Sequence, residues 1–509
     1  NTSVKFITFG GKEKTYHAWN YATKEEMKKY GRRFNSCGMY TDDDGHIRFY
    51  KDQTDNYLQM NYQLLLNHTF SAAWNLNAAL HYTKGDGYYQ EYKEDRSLKE
   101  YRLHPFMYDG KEVEKSDLIR QKKMDNHFGG GVFSVNYRNE KLDASLGGAL
   151  NYYDGWHFGR VIWVKNYIGE LLPDHEYYRN KAKKTDGNLY LKANYNLVAG
   201  LNAYADLQYR YINYKINGDN DKFDYNADAL QKLAVNDHFN FFNPKAGLNW
   251  DIDANNRVYA SFSIAQKEPT RNNYTDGNAD EYPKAEKLLD YELGYTYRNT
   301  WLSAGANFYY MDYKDQLVLT GELNEIGEAM ARNVPDSYRM GVELMLGVKP
   351  CQWFQWDING TLSKNRVKNF TEKLYEDEWK NPVEVSHGNT PIAFSPDLIL
   401  NNRFSFSYRG FEAALQSQYV SKQYMSNARQ ADQTLNAYFV SNLNLAYTFK
   451  LPHVKSVTAG FTIYNLFNAE YENNGYAGSG YKIVKGEVER YNYAGYAAQA
   501  GTNVMGNIS

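Results

Sequence analysis

Long apolar runs are missing from this 509-residue chain. None approaches the roughly 18–20 residues that a membrane-spanning helix needs, so a helical membrane protein is excluded. An excess of one charge is missing too: 58 Lys and Arg stand against 60 Asp and Glu, a net charge of -2. Nothing there points to a nucleic-acid partner. Cysteine is scarce, with only Cys37 and Cys351, which make no metal-ligand pair. The 11 His are scattered without HxxH or HExxH spacing, and neither a Gly-rich phosphate loop nor G-x-S-x-G occurs. No catalytic site is legible, and the chain is not expected to be an enzyme. The sequence opens at Asn1 without an initiator Met or a signal peptide. Export requires such a signal, so an N-terminal part is expected upstream.

What abounds is aromatic: 49 Tyr, 25 Phe and 9 Trp, at a negative mean hydropathy. Residues 74–82 show how they are used. Trp74, Leu76, Ala78, Leu80 and Tyr82 alternate with residues that are mostly polar, among them Asn75, Asn77 and His81. A period of two sorts the two sets onto opposite faces of a strand. The pattern returns more than a dozen times and ends most often in Tyr. Lipid admits helices and closed barrels alone, because every backbone polar group must be paired internally. Aromatic girdles flanking an apolar band are the barrel's signature. The expected fold class is all-β, a transmembrane antiparallel β-barrel over residues 1–509.

Strands pair across short turns: 57–70 with 74–84, 130–138 with 141–153, 187–197 with 200–214, 239–252 with 257–265, 288–298 with 301–313, 337–349 with 352–364, 397–409 with 411–424, and 436–450 with 455–466. Long polar stretches separate the pairs, at 11–55, 85–127, 155–185, 215–237, 266–286, 314–334, 366–394, 425–434 and 468–499. Outer-membrane barrels sort their connections this way, with short turns periplasmic and long loops outside. Partial strands at 3–9 and 501–509 bring the count to about eighteen. Cys37 then lies in an outer loop and Cys351 in a periplasmic turn, separated by an apolar band about 25 Å tall. A disulfide needs Cα atoms within about 7 Å, so no bond between them is expected.

The faces can be assigned. Leu201, Ala203, Ala205, Leu207, Tyr209 and Tyr211 face lipid; Asn202, Tyr204, Asp206, Gln208 and Arg210 face the lumen. Leu142, Ala144, Leu146, Gly148, Leu150 and Tyr152 face lipid, as do Val258, Ala260, Phe262 and Ile264. A slip of one residue would put Asp206 and Arg210 into lipid, so the register is strongly specified. A barrel this wide leaves a pore unless it is filled, and 22-stranded transporters are plugged. No stretch reads as a separate plug. Two readings stay open: a complete porin-like barrel, or a barrel with about four strands and a plug upstream of Asn1.

Several segments then carry a resemblance. Phe242-Asn243-Pro244-Lys245-Ala246-Gly247-Leu248-Asn249-Trp250 runs into Val258-Tyr259-Ala260-Ser261-Phe262-Ser263 and Lys267-Glu268-Pro269-Thr270-Arg271. Tyr282-Pro283-Lys284-Ala285-Glu286 and Asp290-Tyr291-Glu292-Leu293-Gly294-Tyr295 follow. Ile463-Tyr464-Asn465-Leu466-Phe467-Asn468 comes last, with Tyr471 and Gly475-Tyr476 after it. In this order and spacing they resemble the barrel of TonB-dependent outer-membrane receptors, over essentially the whole chain. The resemblance implies a 22-stranded barrel integral to the bacterial outer membrane, with an N-terminal plug and a TonB-box. It implies active import of a scarce ligand energised through TonB: a ferric siderophore first, on family frequency, then cobalamin, haem or a glycan. Implied partners are the TonB complex through the plug, the ligand, outer-membrane lipid and, in some members, a surface lipoprotein. The family usually ends in an aromatic residue; Ser509 departs from that, so a few C-terminal residues are expected to be missing. The alternatives are a passive porin of about eighteen strands and an adhesin or phage receptor.

Candidate site residues follow from position and chemistry. Tyr88, Tyr89, Tyr92, Trp156, His157 and Phe158 lie where strands enter outer loops. Interface girdle is the plainer reading; an aromatic ligand vestibule is the functional one. Arg160, Lys267, Arg271 and Tyr274 would add cationic recognition of an anionic ligand. Lys192, Asp206, Gln208 and Arg210 are the lumenal residues expected to hold a plug. Asp42-Asp43-Asp44-Gly45 and the trio Asp219, Asp221 and Asp224 could bind Ca²⁺ on a loop. Gln53 stands where the EF-hand pattern requires Glu, so a solvated loop is the plainer reading and no cofactor is expected.

Overall fold

The computed structural model describes residues 1–509 apart from 172–174, 226, 277–281, 324–328, 377–379 and 453. Nineteen strands belong to one antiparallel sheet. Eighteen of them form a wall, in line with the expected count; the nineteenth, Lys380–Pro391, pairs only with the outer part of one wall strand. Among the described residues no helix is long and apolar enough to cross a membrane.

The chain divides into two compact units. The first comprises Asn1–Asn20, Asn35–Tyr195 and Asp206–Pro244. It holds most of β1 (Thr2–Tyr16), β2 (Thr54–Thr69), β3 (Trp74–Ser97), β4 (Lys115–Arg138), β5 (Leu142–Val164), β6 (Glu176–Val198), β7 (Leu201–Asp224) and β8 (Ala229–Asp251). The second comprises Tyr21–Phe34, Asn196–Ala205 and Lys245–Ser509. It holds β9 (Asn256–Lys267), β10 (Glu286–Arg298), β11 (Leu302–Leu323), β12 (Ala329–Cys351), β13 (Phe354–Glu376), β14 (Leu398–Tyr408), β15 (Phe411–Val420), β16 (Tyr438–Leu451), β17 (Val454–Tyr464) and β18 (Asn503–Ile508).

The short turns fall where the alternation breaks, at 71–73, 139–140, 199–200 and 299–301. The turn at 451–454 contains residue 453, outside the described residues. The face assignment is visible in exposure. Leu207, Tyr209 and Tyr211 are exposed while Asp206, Gln208 and Arg210 are half-buried. Leu146, Leu150 and Tyr152 are exposed in the same way.

One expectation needs correction. Most of the long outer segments, though not 11–55, 266–286 or 425–434, are not mainly loops. β3 continues through 85–97 and β4 begins at 115, so the segment 85–127 is mostly an antiparallel ladder, from Gly85↔Asn126 to Ser97↔Lys115. Segments 155–185 and 215–237 extend the same way. Polar sequence hid these strands because neither face there meets lipid. Ladder pairing still gives the backbone N–H and C=O groups partners, and this is what extends the wall. Between the tops of β3 and β4 lie a 3₁₀ turn, Leu98–Tyr101, and a small hairpin, Phe106–Tyr108 with Lys111–Val113. They close over a buried apolar core that includes Leu98, Tyr101, Leu118, Val161, Tyr177 and Tyr178.

Candidate functional site

In the first unit, alternation carries the outer part of β3 onto an inner face with Tyr89, Glu91 and Lys93. β4 presents Lys122 opposite Tyr89 and Arg120 opposite Glu91. Glu91 is fully buried and Arg120 is 2% exposed. Arg120 Nε donates to Glu91 Oε2 at 2.9 Å, and Trp19 Nε1 donates to Oε1 at 3.3 Å. Lys93 stands 3.4 Å from the same carboxylate, and Lys122 pairs with Asp221. Burial raises the Glu91 pKa, but Arg120, Lys93 and Lys122 together outweigh it and hold the group at about 2. The His17 ring stacks on Tyr89 at 4.7 Å. Tyr89 thus belongs to a packed, charged cluster.

The candidates on β5 separate. β5 pairs with β6 without a break from Leu142 to Gly159. Trp156 therefore shares its face with Leu150 and Tyr152, and Tyr88 shares the face of Leu80 and Tyr82. Arg160 also falls on this outward face, opposite Gln121. Tyr88, Trp156 and Arg160 thus stand on the face opposite to Tyr89, Glu91 and Lys93. Phe158 follows Trp156 outward. Lys181 and Arg179 lie over the Trp156 ring at 4.7 and 5.1 Å. His157 faces inward, with Nε2 3.3 Å from the Tyr153 hydroxyl.

Most of the loop acids have partners. Asp42 Oδ1 accepts from the backbone N–H of Asp44 and of His46, and Oδ2 accepts from Arg48 Nε at 2.8 Å. Lys165 pairs with Asp43 at 2.6 Å. Asp219 takes Arg102 and Lys232, Asp221 takes Lys122, and Asp224 accepts from the Ala227 N–H. These are turn-forming and ion-pairing roles. Of the lumenal four, Arg210 pairs with Asp186, Gln208 accepts from Asn243 at 3.2 Å, and Lys192 stands opposite Ser145. Asp206 is half-buried on the same face.

The second unit holds a cavity of 520 Å³, within the range of small-molecule sites. Lys284, Arg332, Phe370, Asn427 and Ser479 contribute to its lining, with Tyr282 beside them. Sequence reading missed these residues because the alternation changes phase above the band. Asp315 (φ 49°) and Asn369 (φ 49°) adopt left-handed backbone, and the buried residues switch from odd to even numbers there. Val318, Val334, Val367 and Ile392 form the apolar floor. A hairpin of Glu472–Val484 and Glu487–Ala498 roofs it. Gly321 (φ 98°) allows the crossing, since a Cβ there would collide with the carbonyls of Met425 and Ala477. Arg271 and Tyr274 belong to the short helix Arg271–Thr275, where Tyr274 is 8% exposed and meets Tyr282 edge-on at 5.6 Å. They therefore flank the cavity's rim segment.

Glu372 ties the roof to the wall. Arg490 donates to both its oxygens, at 2.6 and 2.9 Å, and His387 Nε2 lies 2.8 Å away. Charged hydrogen bonds of this kind contribute about 1.5–3 kcal/mol. Arg490→Gln is expected to speed amide exchange across 472–498 by about tenfold or more. Unchanged exchange would show that Met425, Leu435, Ala477 and Tyr496 hold the roof without it.

Comparison with known proteins agrees with this architecture. Residues 8–466 match the model of the TonB dependent receptor-like, beta-barrel family. A pesticin receptor of Yersinia enterocolitica is 25% identical over 225 residues, 43% of this chain and 30% of that receptor. The siderophore receptor PiuA of Acinetobacter baumannii superposes with a TM-score of 0.67 at 12% identity, over all of this chain and 71% of PiuA. The closed form of the ferric-catecholate import receptor Fiu of E. coli K12 gives 0.60 at 10% identity, over all of this chain and 72% of Fiu. At such identities the structures establish a shared fold. The chain belongs to the TonB-dependent receptor-like β-barrel family.

Proposed function

We propose that this barrel serves active import across the bacterial outer membrane, energised through TonB, with a ferric siderophore as cargo. The observation that carries the reading is the polar, cation-bearing cavity on the inner face of β11–β13, joined to membership of a receptor family. Lys284 and Arg332 would engage anionic oxygens, and Phe370 and Tyr282 would supply rigid flat area. Arg271 and Tyr274, in the same unit, are further contact candidates. The inner-face residues Lys192, Asp206, Gln208 and Arg210 would hold a plug. Receptors whose names state siderophore or ferric-catecholate uptake share this fold, and that is the reason for placing this cargo class first.

The test is uptake of a labelled ferric siderophore panel, cobalamin, haem and an oligosaccharide by cells carrying the full-length gene. Uptake of a ferric siderophore that vanishes without TonB is expected. TonB-dependent uptake of another ligand would keep the importer and change the cargo. Entry of small solutes indifferent to TonB would mean a porin and end the reading.

A further inference from the structure

One anion seat at the cavity of the second unit is already filled, by the protein itself. Glu372, on β13, and Ser479, on the roofing hairpin, both line the cavity. Arg490 joins them, and its guanidinium has two sets of partners. Toward the hairpin, Nε donates to Asn492 Oδ1 at 2.8 Å and Nη2 donates to Ser479 Oγ at 2.7 Å. Toward the wall, Nη1 donates to Glu372 Oε2 at 2.6 Å and Nη2 to Oε1 at 2.9 Å. The second set is the two-point grip of an Arg fork on a carboxylate.

The two sides are not equally fixed. The hairpin side is braced from behind. Ser479 Oγ donates to Asn492 Oδ1 at 2.8 Å, and Asn492 Nδ2 donates to Asp432 Oδ1 at 3.0 Å. Gln433 is fully buried, and its Nε2 donates to Ser479 Oγ at 3.1 Å and to the Gly478 carbonyl at 2.6 Å. These contacts orient the guanidinium without help from Glu372. A seat whose donors are set in advance loses little freedom when a ligand fills it. Glu372, for its part, has a second partner, because His387 Nε2 stands 2.8 Å from Oε2. When Arg490 turns to another anion, the Glu372 carboxylate keeps that partner. The exchange therefore avoids the penalty of leaving a half-buried charge unpaired.

We propose that Arg490, held by Ser479 and Asn492, is a carboxylate seat for the cargo, and that Glu372 is its resident competitor. The incoming carboxylate takes the Arg490 fork while Glu372 stays with His387. The tie between roof and wall is thus also an occlusion of the site, displaced by a ligand that brings its own two-oxygen anion. The proposal rests on the import reading and deepens it: the ferric complex carries at least one carboxylate that is not bound to the metal.

In the test, full-length protein in detergent is titrated with tricarballylate, a small metal-free tricarboxylate, by isothermal titration calorimetry. Its trimethyl ester is the neutral counterpart. Glu372→Gln keeps the side chain's shape and removes the competing charge. It is expected to tighten tricarballylate binding at least tenfold, because a charged hydrogen bond no longer has to be exchanged. Arg490→Lys keeps the charge without the fork and is expected to weaken binding at least tenfold. Adding Glu372→Gln to Arg490→Lys is expected to change nothing further, since both act on one seat. A gain of affinity does not come from misfolding, so Glu372→Gln decides. Equal binding by Glu372→Gln and the unchanged protein overturns the proposal, as does absent binding to Glu372→Gln or equal binding of the ester. Tighter binding of inorganic phosphate than of tricarballylate overturns it too, in favour of a phosphate site. The import reading fails separately: solute entry indifferent to TonB ends that reading, whereas loss of the seat leaves TonB-dependent uptake standing.

Discussion

Arg120→Ala is expected to destabilise the outer part of the first unit by about 3–5 kcal/mol. That is the typical penalty for removing one partner of a buried pair and stranding the other charge. Glu91 would be the stranded group, fully buried and without its strongest partner, with Trp19 and Lys93 still beside it. Hydrogen exchange of amides 85–123 reads the effect as a protection loss of about a hundredfold or more. Replacing both partners, Glu91→Leu with Arg120→Met, is expected to cost far less, because no uncompensated charge remains. Equal losses in the single and double variants would refute this account. The pair also sets a pH dependence. The Glu91 pKa is lowered from 4.5 to about 2 in the folded protein. A depressed carboxyl stabilises fully above its unfolded value and loses that contribution as pH falls towards the folded one. Protection of 85–123 should therefore decline between about pH 4.5 and 2, and Arg120→Ala should flatten the decline.

Leu191→Arg is expected to cost about 2–4 kcal/mol when the barrel folds into lipid vesicles, the penalty for a cation on the lipid face near the midplane. Leu191 is exposed and stands opposite Leu146. Lys192→Arg, one residue along and opposite Ser145, is expected to be neutral within error. Urea titration of the vesicle-folded protein separates the two. A neutral Leu191→Arg would mean that the two faces have been exchanged.

The wall was legible because lipid imposes a strict period of two, as in 74–82 and 201–211. Above the band that constraint ends. The outer ladders of β3 and β4 are polar on one face and mixed on the other, so composition alone read them as loops. Asp315 and Asn369 then shift the phase of burial, and the cavity residues Arg332 and Phe370 belong to no motif that spans the shift. The outward orientation of Trp156 and Arg160 was within reach. Both share parity with Leu150 and Tyr152, and counting onward from the lipid face places them correctly.

The ladders that carry β3 to β6 far above the lipid band have a consequence for survival outside the cell. A protease grips its substrate as an extended segment whose amides are free to pair with the enzyme's own edge. In 85–97, 115–127 and 155–164 those amides already belong to neighbouring strands. The most distant part of the molecule thus offers a digestive enzyme few places to begin, and the small hairpin at 106–113 is where nicking should start.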